Sequence, residues 1–458
     1  IRNTTWKYSK LVDGTERFIL GHGSLELFEE VLFHIHESKI TWSVNLINYT
    51  MGKITANLET LKRNPSGRVI HDALLSVDQE NLDLDAVMIM VKYVVQIHPS
   101  LQLSTKGLLL VIASKSFLFL VQVVNFINLL KDAKESKIYK EFLVELLTNE
   151  QSALFFYIDT VKNKFELNLV KSMFFGSKIF NAISDELDVL QYLSCMKCQF
   201  QCVIEKTNCW DDKSYADLLV SFLSLHPVYS MDVVFGELLF KSSDYFTAFK
   251  SIFQSGSSIS QKRLFNRYMF DYFEKLTNLE NSSSVYLIFS QIGADNVDFH
   301  RLIQIRNLYL KRIIVRLLSQ RSQKDLATFL LDYFQRRELS DDLFVCELLT
   351  MVLRELPKEE KDVLSHDSVF LDAVTGRLSN EDTLVRERTM FIAKLVTNGE
   401  LDYVSDFVIE IPDFKIPSDS AINFTTLRTG NTKSLKTAES AAVEVQKLTL
   451  TDSDDEEE

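Results

Sequence analysis

The sequence predicts an all-α protein: stacked helix pairs forming an α-solenoid, followed by a disordered acidic C-terminal tail. Three observations lead there. Glycine occurs only 13 times and proline only 6 times in 458 residues, several-fold below the usual shares of about 7% and 5%. Turn-rich β folds and Gly-rich nucleotide folds need those residues for tight turns and positive φ. Apolar residues recur at helical spacing between short polar breaks along most of the chain. After Ser418 the composition changes to Ser and Thr and then to the acidic run TDSDDEEE.

The elements can be taken in order. The opening IRNTTWKYSKLVDG is polar and lacks a signal-peptide pattern; it starts on Ile1 rather than Met, which fits a chain trimmed at its start. LGHGSLE around Gly21 and Gly23 reads as a loop, since a dinucleotide fingerprint needs a third glycine and a preceding strand. SLELFEEVLFHIHES places Leu25, Leu27, Phe28, Val31, Leu32 and Ile35 at helix spacing. Its His34 and His36 are two apart and face different sides. The apolar run from Gly107 to Leu130 approaches membrane-span length, but Lys115 in its centre would cost about 2.5–3.5 kcal/mol on insertion. It is read as two buried helices broken near Lys115, with no membrane span.

Cys195, Cys198, Cys202 and Cys209 form a stripe along one helix. The main reading is buried thiols, because one straight helix cannot wrap four ligands around an ion; a zinc site is the alternative. Five cysteines in an uneven distribution do not make a secreted disulfide framework, so a reducing compartment, cytoplasmic and nuclear, is expected. The sequons at Asn3, Asn48 and Asn281 are then chance matches. YADLLVSFLSLHP should end at Pro227. SDYFTAFKSIFQSGSS should break at Gly256, QKRLFNRYMFDYFEKLTN should restart with Leu264, Phe265, Met269, Phe270 and Phe273, and SQKDLATFLLDYFQRRELSDD continues the pattern.

Arg301, Arg306, Lys311, Arg312, Arg316, Arg321 and Lys324 lie in a stretch without an acid. Leu302, Ile305, Tyr309, Ile313 and Leu317 give the opposite, apolar face. The plain reading is a solvated amphipathic helix. Sharper ones are a docking face for an acidic partner or a phosphate-backbone contact. The net charge of −13 works against nucleic acid as the dominant partner.

HDSVFLDAVTGRLSN followed by EDTLVRERTMFIAKLVTNG reads as one HEAT-like pair. Asp382 caps the second helix and can pair with an arginine of a neighbouring repeat; Val385 begins the buried face, and Arg386 and Ala393 complete the pattern. Elsewhere the repeats are degenerate. Asn398–Gly399 stands at a helix end, and a short strand is plausible only at FVIEIPDF, Phe407 to Phe414. The resulting organisation is an N-terminal helical-repeat region over 1–226, a second over 227–417, and a Ser/Thr-rich linker with the tail over 418–458. No phosphate loop, nucleophile elbow or zinc-protease motif appears, and no enzyme, cofactor or metal is expected.

In the tail, Ser453 is followed by Asp454, Asp455 and Glu456, and six of its eight side chains are carboxylates. An acid three residues after a hydroxyl is what acid-directed kinases select. Thr451 has Asp454 at that offset and Thr449 has Asp452. A phosphate would add about −1.5 to −2 charge and suit a Lys/Arg pocket on a partner; a merely solubilising end is the alternative.

VTGRLSNEDTLVRERTMFIAKLV, then DFVIEIPDF, a Ser/Thr-rich linker and LTDSDDEEE together resemble the telomere-length-regulation protein family, a fungal member in particular. The resemblance is strongest over Val374 to Glu458 and implies a non-enzymatic scaffold. Asp452, Ser453, Asp454, Asp455 and Glu456 would be its acidic motif, phosphorylated on Ser453 and bound by the PIH-domain subunit of an adaptor that recruits heat-shock chaperone and AAA+ ATPases. Two sister helical-repeat subunits and the phosphatidylinositol-3-kinase-related kinases are the further partners implied, and kinase maturation, telomere maintenance and DNA-damage signalling the implied outcome; the alternative is direct binding of telomeric single-stranded DNA through the Arg301–Lys324 face. The family continues past this motif with further helical repeats.

Overall fold

A computed structural model describes residues 91–92, 95, 98–100, 110, 117–149, 168, 171–206, 213–227, 229–294, 296–336, 341–402, 404–417 and 421–427. The readings at Gly21, at the helix over 24–38 and at Cys209 lie outside these residues, as does the acidic tail. All regular structure among the described residues is helical. They form two compact units, one within Ile1–Thr207 and one within Asn208–Leu448.

In the first unit, α1 (Phe117–Leu129) and α2 (Ala133–Thr148) make a helical hairpin. The break expected near Lys115 lies outside the described residues. No helix among the described residues is long and apolar enough to cross a membrane. Asp132 caps α2 by accepting from the Lys134 amide at 2.8 Å. Tyr139, Phe142, Leu143, Leu146 and Leu147 form its buried stripe, the three-and-four spacing of one helix face. Helix α3 (Ser177–Ile183) packs on both. On α4 (Val189–Lys206), Cys195 is buried, Cys202 half-buried and Cys198 exposed. The expected thiol stripe is thus covered only in part: Cys198 stands about 60° round the helix from Cys195, at the edge of the packed face. Burial pushes the Cys195 thiol up to about 11.

The second unit begins with α5 (Lys213–Ser224), which ends before Pro227 as the sequence requires. Tyr229–Met231 runs into a π-helical stretch, Asp232–Leu239. Helix α6 (Ser243–Ser255) stops at Gly256, where a Cβ would come within 2.8 Å of the Ala216 side chain; glycine lets α5 and the end of α6 close up. The segment QKRLFNRYMFDYFEKL is helical throughout but not one α-helix. It is α7 (Ser258–Arg263), a π-helical stretch (Leu264–Met269) and α8 (Phe270–Leu276). Phe235, Phe240, Phe249, Tyr272, Phe273 and Phe289 link into an aromatic core with neighbouring centroids 5.2–6.1 Å apart, within the range of favourable ring pairs.

There follow α9 (Ser282–Ile292), α10 (Phe299–Gln304), α11 (Leu308–Leu317), α12 (Gln320–Gln335), α13 (Asp342–Glu355), α14 (Lys358–Ser365), α15 (Ser368–Leu378) and α16 (Thr383–Val396). The α15–α16 pair is the one the sequence singled out. Asp382 caps α16 through the Leu384 amide at 2.8 Å, and Val385 and Ala393 are buried. The cap turn is completed differently from expectation: Arg386 donates to the carbonyls of Asn380 and Glu381 at 2.7 and 2.9 Å. Charge pairing between helix pairs runs instead through Asp342. Its carboxylate, 4% exposed, accepts from the Arg377 guanidinium and, at 2.9 Å, from Arg388. Arg377 also donates to the Phe334 carbonyl and to Thr389 Oγ1. One carboxylate and two guanidiniums thereby tie α12, α13, α15 and α16.

After α16 the chain turns through Asn398 (φ 54°) and Gly399 (φ 84°) and doubles back. Residues 404–417, where a strand was expected at Phe407 to Phe414, carry no regular secondary structure and pair with no strand among the described residues. Ser405, Phe407 and Ile409 turn inward while Val404, Asp406 and Val408 are exposed, the alternation of extended backbone. This strap passes α16, where Ser405 donates to Glu387 at 2.8 Å. It then reaches α9, where Ser283 donates to the Lys415 carbonyl at 3.0 Å. Of the Ser/Thr-rich stretch expected as linker, residues 421–427 are described. A 3-10 turn, Phe424–Leu427, sets its last side chain fully into the core, and Tyr272 donates to the Leu427 carbonyl at 2.9 Å.

Asp342→Ala leaves two guanidiniums in the interior without their carboxylate. Removing one partner of such a buried arrangement costs about 3–5 kcal/mol, so urea denaturation should show a loss of that size, while Asp382→Ala should cost only about 1 kcal/mol.

Candidate functional site

The basic stretch is the part of the expected binding residues that the structure describes, and its geometry starts from Asn307. That side chain caps α11 through the Leu310 amide at 3.1 Å, while its amide donates to the carbonyls of Glu274 and Thr277. Capping at one end and docking at the other fix the rotation of α11. The helix lies between α9 and α13, and all of Leu310, Lys311, Arg312, Ile313, Ile314 and Val315 are buried.

The expected solvated face is therefore internal at its centre. Lys311 is fully buried, with Nζ 3.9 Å from Glu347 Oε2 and 4.9 Å from the Phe344 ring. At that distance the Glu347 contact is an ion pair without a hydrogen bond. Burial lowers the Lys311 pKa to about 8, opposed by Glu347 and Glu274, and burial likewise raises the Glu347 carboxyl. Arg312 meets Glu355 at 2.6 Å and donates to the Met351 carbonyl at 3.3 Å. Arg316 reaches the same Glu355 at 3.4 Å, Asp413 at 2.9 Å and the Phe414 carbonyl at 3.2 Å. Its guanidinium carbon lies 5.0 Å from the centre of the Phe414 ring, cation–π range. Arg316 is thus the clamp that holds the returning strap on the helices.

The flanks behave differently. Arg301 pairs with Asp271 and lines an open groove. Arg306 is exposed, its backbone amide bound to Glu274 Oε1 at 2.7 Å. Lys324 pairs with Glu360 at 2.7 Å. Of the five residues expected to share one face, Arg312 and Arg316 meet on one carboxylate, Lys311 takes another, and Arg301 and Arg306 stand apart. Sequence reasoning missed Glu347 and Glu355. Their signal was that they are acids in the mostly apolar helix DLFVCELLTMVLRE, which also opens on Asp342; buried acids call for buried bases.

The Lys311 environment sets a pH dependence. An unfolded lysine, with its higher pKa, binds more protons than the folded one between about pH 8 and 10, so stability rises with pH through that window. The expected gain is on the order of 2 kcal/mol, and it should vanish in Lys311→Met when denaturant midpoints are compared across the window.

No family model matches this sequence. It is 34% identical over 424 residues to the telomere length regulation protein TEL2 of Saccharomyces cerevisiae, an alignment that takes in 88% of this chain and 61% of the yeast protein. The chain thus spans less than two thirds of that relative's length. A solved structure described as "Tel2 structure and function in the Hsp90-dependent maturation of mTOR and ATR complexes" superposes with a TM-score of 0.74 at 33% identity, covering 86% of this chain and 71% of the solved one.

Proposed function

We propose, from the premise that this chain belongs to the telomere length regulation protein family, that it is a scaffold in the Hsp90-dependent maturation of large kinase complexes. The observation that carries this reading is the likeness, across 86% of the chain, to a Tel2 structure tied to the maturation of mTOR and ATR complexes. The helical units supply extended surfaces for client phosphatidylinositol-3-kinase-related kinases and for two sister helical-repeat subunits. The acidic tail supplies the link to the chaperone. Phosphorylation of Ser453, set among Asp452, Asp454, Asp455 and Glu456, turns this acidic segment into a charge-assisted ligand. The receiving protein is a PIH-domain adaptor carrying a Lys/Arg pocket, and the working compartments are cytoplasm and nucleus.

The test uses the full chain, treated with an acid-directed kinase and titrated against a PIH-domain adaptor. Phosphorylated wild type should bind at least tenfold more tightly than the untreated chain, about 1.4 kcal/mol. Ser453→Ala should abolish the gain and Thr451→Ala should keep it. Equal binding with and without phosphate would remove the tail from the chaperone link.

A further inference from the structure

The buried cations of the second unit, Lys311, Arg312 and Arg377, each face a carboxylate, as do Arg316, Lys324 and Arg388. Three of the exposed cations lie together on one groove. Lys262, Arg263 and Arg267 are exposed and form no ion pair among the described residues. They line an open groove of about 850 Å³ at the π-helical stretch Leu264–Met269, and Arg301 faces the same space. In a chain with 63 acids against 50 bases, an uncompensated group of three is a local reversal of the molecule's field.

The groove is built rather than incidental. Asn266 joins its two sides: its amide donates to the Asn296 carbonyl at 2.7 Å, and its Oδ1 accepts from the Asp298 amide at 2.7 Å. Arg301 adds a bond from Nε to the Asn266 carbonyl at 3.3 Å. The acids of the lining are engaged locally. Asp271 is neutralised by Arg301, and Asp298 accepts from the His300 amide at 2.9 Å as the cap of α10. Beside the cations lie Val297, Phe299 and Phe329, with the two rings 5.5 Å apart. Tyr333 holds His300 Nδ1 at 2.6 Å, and the His300 ring stands edge-on to Phe329.

We infer that this groove is a docking site for an acidic peptide segment of a partner protein, its carboxylates or phosphates on Lys262, Arg263 and Arg267 and one apolar side chain against Phe299 and Phe329. Charge complementarity selects the acidic ligand. The apolar lining and the limited volume select a short peptide: a pocket of about 300–1,000 Å³ takes a few side chains. A long phosphodiester strand would leave the three cations and run over a surface of net negative charge. The inference is independent of the tail: it needs neither Ser453 nor its phosphate.

The probe is a fluorescein-labelled peptide Glu-Asp-Asp-Phe-Glu-Asp-Glu, titrated into the full chain, with a thymidine 20-mer as the second ligand. Lys262→Glu, Arg263→Glu and Arg267→Glu together should weaken peptide binding at least tenfold. Arg321→Glu, Arg354→Glu and Lys358→Glu, an equal charge change at exposed positions elsewhere, should change it less than threefold. Arg263→Gln with Arg267→Gln, the milder pair, should weaken it at least threefold with the circular dichroism spectrum unchanged. Replacing the peptide's Phe by Ala should also weaken binding. Equal losses in the groove and control variants would reduce the effect to the overall field and overturn the site. So would absence of peptide binding to wild type, and preference for the oligonucleotide through the same three residues would overturn the peptide as its ligand.

Discussion

The carboxylate of Asp342 holds two guanidiniums, Arg377 and Arg388, in the interior of the second unit, and much of what surrounds it depends on that arrangement. Three charges in low dielectric are tolerable only when each meets its opposite at hydrogen-bond distance. Asp342 opens α13, Arg377 closes α15 and Arg388 lies on α16, so satisfying the charges fixes three helices relative to one another. Phe334 adds α12, because its carbonyl and ring both receive Arg377. Once α13 is placed, Glu347 and Glu355 point at α11, and Lys311, Arg312 and Arg316 have their partners.

The strap follows from the same chain of constraints. A non-helical segment without a partner strand leaves its carbonyls and amides unpaired, and a buried unpaired group is costly. Here the helices provide the missing partners from side chains. Arg316 serves the Phe414 carbonyl, Ser283 that of Lys415, and Tyr272 that of Leu427, while Ser284 accepts from the Asn423 amide. The inward side chains Ile409, Phe414 and Leu427 are buried and supply the apolar contact. Such a segment is held by residues from helices far apart in sequence, which binds the array lengthwise.

Family membership and the electrostatics point the same way. A scaffold for other proteins needs surface to offer and an interior rigid enough to present it. The second unit pairs its buried basic residues, Lys311, Arg312 and Arg377, with its own acids. The exposed cluster at Lys262, Arg263 and Arg267 stands apart from these pairs, as does the closing run TDSDDEEE, whose charge is wholly of the other sign. The proposed groove contact would use cations on a groove already built; the proposed tail contact would use a hydroxyl that a kinase can convert.

Local properties were legible in the sequence. The scarcity of glycine and proline meant helices, Pro227 and Gly256 marked ends, Asp382 and Val385 marked a cap and a buried face, and Asn398–Gly399 marked a turn. Each follows from the conformations open to a residue and its neighbours within a turn or two. The acid-flanked Ser453 is a local reading of the same kind, since a kinase reads a few consecutive residues, but it lies outside the described residues. The basic stretch was misread at its centre because amphipathic spacing assumes one covered face, whereas α11 is covered by α9, α13 and the returning strap. The strand expected at Phe407 to Phe414 found no partner strand among the described residues, since no periodicity reveals which element lies alongside. Burial of Lys311, the pairing of Arg312 and Arg316 on Glu355, the Asp342 junction and the groove at Arg267 were decided by tertiary structure alone. They require partners 30 to 100 residues away, and only packing brings such groups within the few ångströms over which charges and hydrogen bonds act.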